Sequence, residues 1–251
     1  VSPVIHDQYA ASVGVGATRS GDVMFGAGTA WVLLAMVDKL AKPVIDEAYL
    51  CIHTVEGLYG QLLSMVNGGS CFSWALNLLG LVGEDRQKID SLLASVSPGC
   101  DGLRCWPLFT PPGGSSLHLT GAGRFDGIRL LHGPPHILRS VLEGLVLELG
   151  RYICFLEEAD IPTERLVMCG GAAESSITPQ IVANVTGLEV VCQSQSGASA
   201  LGAAIIARGL TEPQTDLASL AEEMSPLSRR VRPNSDCQVY HTMLERYIRA
   251  L

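Results

Sequence analysis

The sequence of 251 residues is poor in charge and poorest in lysine. Only 17% of its residues are charged, its formal net charge is −8, and it contains three lysines. A protein that binds nucleic acid needs a stripe of basic side chains to displace the counterions of the phosphate backbone. The basic cluster at residues 229–232 is too short for that and is typical of a solvated face. We therefore expect no nucleic-acid partner.

The sequence also lacks a clear membrane span and a secretion signal. Two uncharged runs rich in apolar residues cover residues 23–37 and 64–83. The first run is shorter than the roughly 20 residues that a span needs, and glycines and an asparagine interrupt the second. The chain does not open on a basic segment followed by an apolar stretch and a small-residue cleavage site. These features predict a cytoplasmic protein without a membrane partner.

Paired cysteines and metal-ligand spacings are missing as well. The eight cysteines are scattered, none stands in a Cys-x-x-Cys pair, and most lie in apolar runs, so we predict reduced core residues. Of the six histidines, only His132 and His136 are spaced like metal ligands. Gly133, Pro134 and Pro135 between them exclude a shared helical face, so no structural zinc is expected.

Apolar residues make up 47% of the chain, and their order predicts alternating strands and helices. Residues 22–37 predict two buried strands joined at a glycine-rich tip. A long amphipathic helix is predicted from Pro134 or Pro135 to about Ala159. Beyond it, the segments "RLVMC" and "LEVVCQ" predict strands on either side of a helix that stops at Gly187. A small-residue helix follows, and another helix closes the chain.

Three glycine-rich turns, at residues 26–30, 68–70 and 170–173, stand at junctions between these elements, and each has a serine or threonine close by. Bare backbone at a helix or strand end suits phosphate, because unpaired N–H groups attract anions and no side chain blocks their approach. A tight connection between two elements is a sufficient alternative explanation for any one of these turns taken alone. Neither a Gly-x-Gly-x-x-Gly fingerprint after a strand nor a Walker-type phosphate loop is present, which excludes the ordinary Rossmann and P-loop interpretations.

The segment "GRFDGIRLLHGPPHILRSVLE" at residues 123–143 resembles the C-terminal signature of the FGGY carbohydrate kinases throughout. The matching positions are Gly123, Phe125, Gly127 and Ile128 and, seven residues later, His136, Ile137, Ser140, Val141, Leu142 and Glu143. Residues 6–30 resemble that family's catalytic-aspartate segment with its second phosphate loop, and residues 168–204 resemble its adenosine-binding segment. The resemblance implies an α/β fold of the actin/Hsp70/hexokinase-like (ribonuclease H-like) kind, with a mixed sheet flanked by helices.

The resemblance also implies roles for individual residues. Asp7 matches the carboxylate that orients the sugar hydroxyl and accepts its proton, and Gly28 and Thr29 match the loop that meets the terminal phosphates of ATP. The remaining ATP-binding positions are Gly69 and Ser73, at a helix start beside the nucleotide, and Gly171, Ala172 and Ser175, against the adenosine. Mg²⁺ is expected to arrive with ATP, and Asp7 is the candidate in this chain to contact it.

In domain terms, the resemblance implies that residues 1–21 end an N-terminal domain and carry the catalytic aspartate, while residues 22–251 form the C-terminal ATP-binding domain. The sugar-binding N-terminal domain is absent from this chain, so we expect the fragment alone to be inactive. The complete enzyme is expected to phosphorylate a sugar or polyol.

Two alternatives stay open: a non-catalytic nucleotide-binding module that regulates a partner, and a structural α/β domain without a ligand. The identity of the sugar and the formation of a homodimer also stay open.

Overall fold

A computed structural model describes residues 5–65, 67–110, 122–193, 197–225 and 229–251. The strands within these ranges are β1 Asp22–Ala27, β2 Trp31–Val37, β3 Tyr49–Ile52, β4 Tyr59–Met65, β5 Arg104–Trp106, β6 Arg124–Asp126, β7 Arg165–Cys169, β8 Glu189–Gln193 and β9 Arg229–Val231. The α-helices are α1 Asp7–Gly14, α2 Gly69–Leu78, α3 Arg86–Ala94, α4 Pro134–Glu158, α5 Thr178–Thr186, α6 Ala198–Thr211, α7 Leu217–Met224 and α8 Cys237–Arg249.

Seven of these strands form one mixed sheet in the order β3-β4-β2-β1-β7-β8-β9. The central strands β1, β7 and β8 run parallel to one another, and the flanking pairs are antiparallel. Strands β5 and β6 form a separate two-stranded sheet. The predicted α/β fold with a mixed sheet is therefore confirmed.

Helices cover both faces of the large sheet. In β1, Val23 and Phe25 point into a core shared with α4 and α5, whereas Met24 points to the opposite core with α1 and α6. Alternate residues of a strand face opposite sides, so a strand covered on both sides is apolar throughout. This explains the uncharged run at residues 23–37, which forms a hairpin of two buried strands with an exposed tip.

Helix α4 is the 25-residue helix predicted from Pro134, and it contains a buried polar network. Arg139 Nε donates to Glu143 Oε1 at 2.9 Å, and the Tyr240 hydroxyl of α8 donates to the same oxygen at 2.9 Å. Burial, followed by the charge of Glu143, raises the pKa of the Tyr240 phenol. The hydrogen bond from Tyr240 to Glu143 links the C-terminal helix to α4, and the network gives these buried polar groups the partners that burial requires.

The structure corrects several details of the sequence prediction. Helix α7 and the short strands β6 and β9 were not predicted. Arg229, Arg230 and Arg232 are exposed, as predicted for a solvated cluster; Arg230 and Arg232 pair with Glu189, and Arg229 donates to the Ser175 carbonyl. The eight cysteines are free thiols, yet Cys51 is exposed on β3, and Cys154 and Cys237 are partly exposed. The prediction that they are core residues is wrong for these three.

Two further observations concern the described residues alone. No helix among them is both long and apolar enough to cross a membrane. The rings of His132 and His136 lie with their centroids 5.3 Å apart, and the described part of the chain holds no cluster of three or more His, Cys, Asp or Glu side chains that could bind a metal.

Candidate nucleotide cleft

Two of the predicted glycine-rich turns pack directly on each other. The tip between β1 and β2 lies on the first residue of α2, where the Ser70 amide donates to the Thr29 carbonyl at 2.9 Å. A Cβ atom on Gly69 would stand 2.2 Å from the Gly28 carbonyl oxygen. Glycine at position 69 is therefore a packing requirement, because any side chain would push the two turns apart.

The third turn, after β7, completes the group. Gly170 has a φ of +91°, and a Cβ atom there would stand 2.8 Å from the Ala27 carbonyl group. Gly171 differs, since a Cβ atom there would meet nothing within 4 Å. Of the paired glycines, the first is thus required by the fold, while the second leaves open space.

That open space belongs to a cleft of about 550 Å³ at the end of β1 and β7. It is lined by Ala27, Gly28, Thr29, Trp31, Gly69, Phe72, Ser73, Leu76, Glu84, Arg86, Ile89, Asp90, Leu93, Leu142, Gly171, Ala172, Ser175 and Thr178. All seven residues predicted to bind ATP are in this set. The predicted residues, which come from three separate parts of the chain, are therefore brought to one cleft.

One end of the cleft offers backbone donors. The amides of Gly28, Thr29 and Ala30 have no acceptor among the described residues, and all three residues are exposed. At the start of α2, by contrast, the amides of Ser70 and Cys71 are occupied by the Thr29 and Gly68 carbonyls. The tip, more than the helix start, therefore offers free backbone donors of the kind that suit an anion.

The rest of the lining combines apolar and charged side chains. Phe72, Leu76, Ile89, Leu93 and Leu142 supply the apolar wall. The polar wall carries charged side chains, of which the sequence analysis identified none: Glu84, Arg86 and Asp90. They lie on or next to α3. The sequence of α3 has the pattern of an ordinary amphipathic helix, so nothing in it distinguishes Asp90 from an acidic side chain that is simply exposed to solvent.

Asp90 holds Ser175, a predicted adenosine contact. The Ser175 hydroxyl donates to Asp90 Oδ1 at 2.7 Å and accepts from the Ile177 and Thr178 amides at 3.1 and 3.0 Å. Its oxygen thus caps the start of α5, as serine commonly does. Because the Ser175 hydroxyl already makes these bonds within the protein, it is not free to donate to a ligand. Ser175 instead shapes the cleft by fixing the conformation of the turn.

Asp7 lies apart from the cleft. It is the first residue of α1, is exposed, and has His6 Nδ1 3.1 Å from one carboxylate oxygen. The neighbouring Gln8 side chain approaches Gly26, two residues before the tip, from the face of the sheet opposite the cleft. Asp7 is thus at the same end of the sheet as the tip, with its carboxylate open to solvent.

Comparison with known proteins agrees with this geometry. The model for the C-terminal domain of the FGGY family of carbohydrate kinases matches residues 24–208. The chain belongs to the FGGY family of carbohydrate kinases. It is 28% identical over 247 residues to a xylulose kinase of Klebsiella pneumoniae, covering 96% of this chain and 49% of that protein. A gluconokinase of Bacillus licheniformis is 27% identical over 212 residues, covering 80% of this chain and 41% of that protein.

Solved structures of this FGGY chain's relatives show the same fold. The xylulose kinase of Rhodospirillum rubrum superposes with a TM-score of 0.86 at 24% identity, covering 97% of this chain and 49% of that one. The Plasmodium falciparum glycerol kinase with ADP superposes with a TM-score of 0.81 at 20% identity, covering 98% and 49%. The actin-like fold implied by the resemblance is confirmed. The chain spans about half the length of the relatives that it matches.

Proposed function

We propose that this chain supplies the ATP-binding part of a kinase that phosphorylates a hydroxyl group of a sugar or polyol. The observation that carries the proposal is the convergence of all seven predicted ATP-binding residues on one cleft in a member of this family. Relatives named xylulose kinase, gluconokinase and glycerol kinase support the substrate class. A glycerol kinase of the same fold was solved with ADP, which supports the nucleotide.

Within the cleft, we place the phosphates at Gly28 and Thr29 and the adenosine over Gly171 and Ala172. Free backbone amides at the tip suit an anion, and the apolar wall beside Ala172 suits a flat base. None of the described lining residues is a lysine, and the arginine among them, Arg86, pairs with Glu174. This lack fits a nucleotide that carries its own Mg²⁺, which would supply the positive charge that phosphoryl transfer requires.

For the reaction, we propose that Asp7 is the base. The hydroxyl oxygen of the acceptor forms a bond to the terminal phosphorus, the bond from that phosphorus to the bridging oxygen breaks, and ADP leaves. The hydroxyl proton passes to the Asp7 carboxylate, which is exposed and available. We also propose that the sugar site lies in a separate N-terminal domain, for which the length of the relatives, about twice that of this chain, leaves room. The assignment of residues 1–21 to the end of that domain is part of this proposal, although α1 packs against α6.

The test uses the complete natural polypeptide that contains this chain. We expect it to convert ATP to ADP in the presence of one member of a panel of pentuloses, hexuloses, sugar acids and polyols. Asp7→Asn should reduce turnover by at least about 10³-fold while ATP binding, measured by calorimetry, stays within about twofold. Full turnover in this variant would remove Asp7 from the mechanism. Binding of ATP without turnover on any acceptor would favour the non-catalytic regulatory module.

The cellular location and the assembly are separate proposals. Eight free cysteines, five of them buried, suit a reducing compartment, and we propose that the protein is cytoplasmic. A homodimer is compatible with the exposed apolar side chains of Ile128 and Leu130. Sedimentation of the complete polypeptide would test it.

A further inference from the structure

Helix α3 and the turn after β7 are joined across the cleft by one carboxylate. Asp90 Oδ1 accepts the Ser175 hydroxyl at 2.7 Å, and Asp90 Oδ2 accepts the Ser176 amide at 2.7 Å and the Ser176 hydroxyl at 2.9 Å. Hydrogen bonds to an ionised acceptor are shorter and stronger than neutral ones. One partly buried side chain therefore holds two consecutive residues of the turn.

The same turn is held from two other directions. At the rim, Arg86 pairs with Glu174 one helical turn before Asp90. From β9, the Arg229 guanidinium donates to the Ser175 carbonyl at 2.8 Å and to the Ala173 carbonyl at 3.4 Å. Arg229 and Asp90 thus hold the same segment through separate contacts, and of the two only Asp90 lines the cleft.

The contacts of Asp90 fix the distance between two walls of the cleft. Ile89 and Leu93 line the cleft from α3, and Gly171 and Ala172 line it from the turn. If the carboxylate were lost, the ion pair of Arg86 with Glu174 would still link α3 to the turn, but exposed ion pairs contribute little. A cleft that closes on a flat group binds well only when its walls are already at the right spacing.

We propose that Asp90 is a positioning residue for the nucleotide: by holding Ser175 and Ser176 against α3, it sets the gap in which the adenosine part of ATP is bound. The inference rests on the proposed function. It assigns to Asp90 a role in nucleotide affinity and none in phosphoryl transfer, because Asp90 is at the adenosine end and Gly28 and Thr29 are at the phosphate end.

The experiment measures steady-state kinetics of the complete natural polypeptide. Asp90→Asn keeps the shape and removes the charge, and we expect its KM for ATP to rise about tenfold with kcat and the KM for the acceptor within twofold. Asp90→Ala should raise the KM for ATP further, and Ser176→Ala, which removes one of the three bonds, should raise it about twofold to threefold. Titration with ADP by calorimetry should give the same order of affinities.

Asp85→Ala is the matched control, because Asp85 caps the same helix through the Lys88 amide and does not line the cleft. It should lower the melting temperature without changing the KM for ATP. A KM for ATP in Asp90→Asn within twofold of the wild type would overturn the inference while leaving the proposed function intact, and so would a loss confined to kcat. If the wild type bound no nucleotide, the proposed function itself would be wrong, and this role for Asp90 with it.

Discussion

Gly69 and Gly171 both line the cleft, but their surroundings differ. The backbone of Gly28 fills the place where a side chain of residue 69 would begin, whereas the space beside Gly171 is open. A side chain can thus be introduced into the cleft at one position without disturbing the packing, and at the other it cannot. Substitutions at the two positions should therefore affect different properties: ligand binding at Gly171 and the stability of the fold at Gly69.

We predict that Gly171→Leu changes the free energy of unfolding by less than about 0.5 kcal/mol, as surface substitutions do, and weakens ATP binding at least about 100-fold by filling the adenosine space. Gly69→Ala should instead destabilise the protein by about 1–3 kcal/mol, because its Cβ meets a backbone carbonyl. Urea unfolding and calorimetry measure the two effects. Unchanged ATP affinity in Gly171→Leu would contradict the placement of adenosine over this turn.

At the residue scale, His53 is the buried titratable group with the clearest consequence. It is 4% exposed, its Nδ1 accepts from the Val55 amide at 3.0 Å, and its Nε2 lies 2.7 Å from the Ser12 hydroxyl of α1. The Ser12 hydroxyl donates to the Tyr9 carbonyl at 2.8 Å, so Nε2 is the donor to the Ser12 oxygen. Burial lowers the pKa of His53 to about 4, which leaves the ring neutral in the folded protein.

The unfolded chain binds a proton at this histidine near its ordinary pKa of about 6.5, and the folded chain does so only near 4. The contribution of neutral His53 to the free energy of unfolding is thus complete above pH 6.5, and it is lost as the pH falls toward 4. We predict that His53→Gln removes up to about 3 kcal/mol of the acid-induced loss of stability between pH 7 and 4. Urea unfolding at several pH values measures it, and parallel pH profiles for the two proteins would contradict it.

Among the elements, α1 and α6 cross at unusually short range. A Cβ atom on Gly202 would stand 1.7 Å from the Ala10 carbonyl oxygen, and one on Gly14 would stand 2.1 Å from the Ala198 carbonyl oxygen. The small residues of α6, already visible in the sequence, are thus explained by backbone-to-backbone contact. Because Asp7 begins α1, this crossing also fixes where the proposed base stands relative to the sheet.

We predict that Gly202→Ala destabilises the protein by about 3 kcal/mol or more, since a backbone atom cannot move aside as a side chain can. Gly209→Ala in the same helix is the control: its Cβ would meet only Leu217 and Leu220 side chains at 3.5 and 3.6 Å. That control should be neutral or stabilise the helix by up to about 1 kcal/mol. Equal unfolding free energies for the two variants would show that the helices separate at no cost.

The elements were largely predictable because their signals are local. Strand β1 and helix α4 have the apolar run and the periodicity that their burial requires, and Gly187 ends α5 in the left-handed conformation. Strand β9 was missed since it has three residues, two of them arginines, and forms only through its pairing with β8. Short edge strands depend on a partner that local sequence does not identify.

The cleft was predictable only in part, because its geometry is long-range. The resemblance placed Gly28, Gly69 and Gly171 at the nucleotide, yet only the structure shows that Gly69 is required by the Gly28 carbonyl, 41 positions away. Asp90 was not predicted, since its contacts are with Ser175 and Ser176 on a distant segment. The local sequence does not distinguish an aspartate that is exposed to solvent from one that holds a distant segment by hydrogen bonds.

At the scale of the whole molecule, the proposed site joins segments that are far apart in the chain. Its walls come from the β1–β2 tip, α2, α3, α4 and the turn after β7. A ligand that contacts all of them binds the folded state and has no comparable site in the unfolded chain. Binding and global stability are therefore linked.

We predict that ADP at about 100 times its dissociation constant stabilises the complete natural polypeptide against unfolding by about 2.7 kcal/mol. Thermal unfolding monitored with increasing ADP measures this linkage, and Gly171→Leu, which fills the adenosine space, should show almost no shift. A melting temperature that did not respond to saturating ADP would contradict nucleotide binding at this cleft.

The absence of lysine among the described lining residues has a practical consequence for chemical proteomics. Reagents that carry an acyl group on an ATP scaffold report kinases by acylating an amine beside the phosphates. Among the described lining residues of this cleft, such a reagent would meet backbone amides and the hydroxyl of Thr29, with the nearby amine of Lys88 held by Glu84. A lysine that such a reagent labelled in the complete natural polypeptide would therefore lie outside the described lining of this cleft.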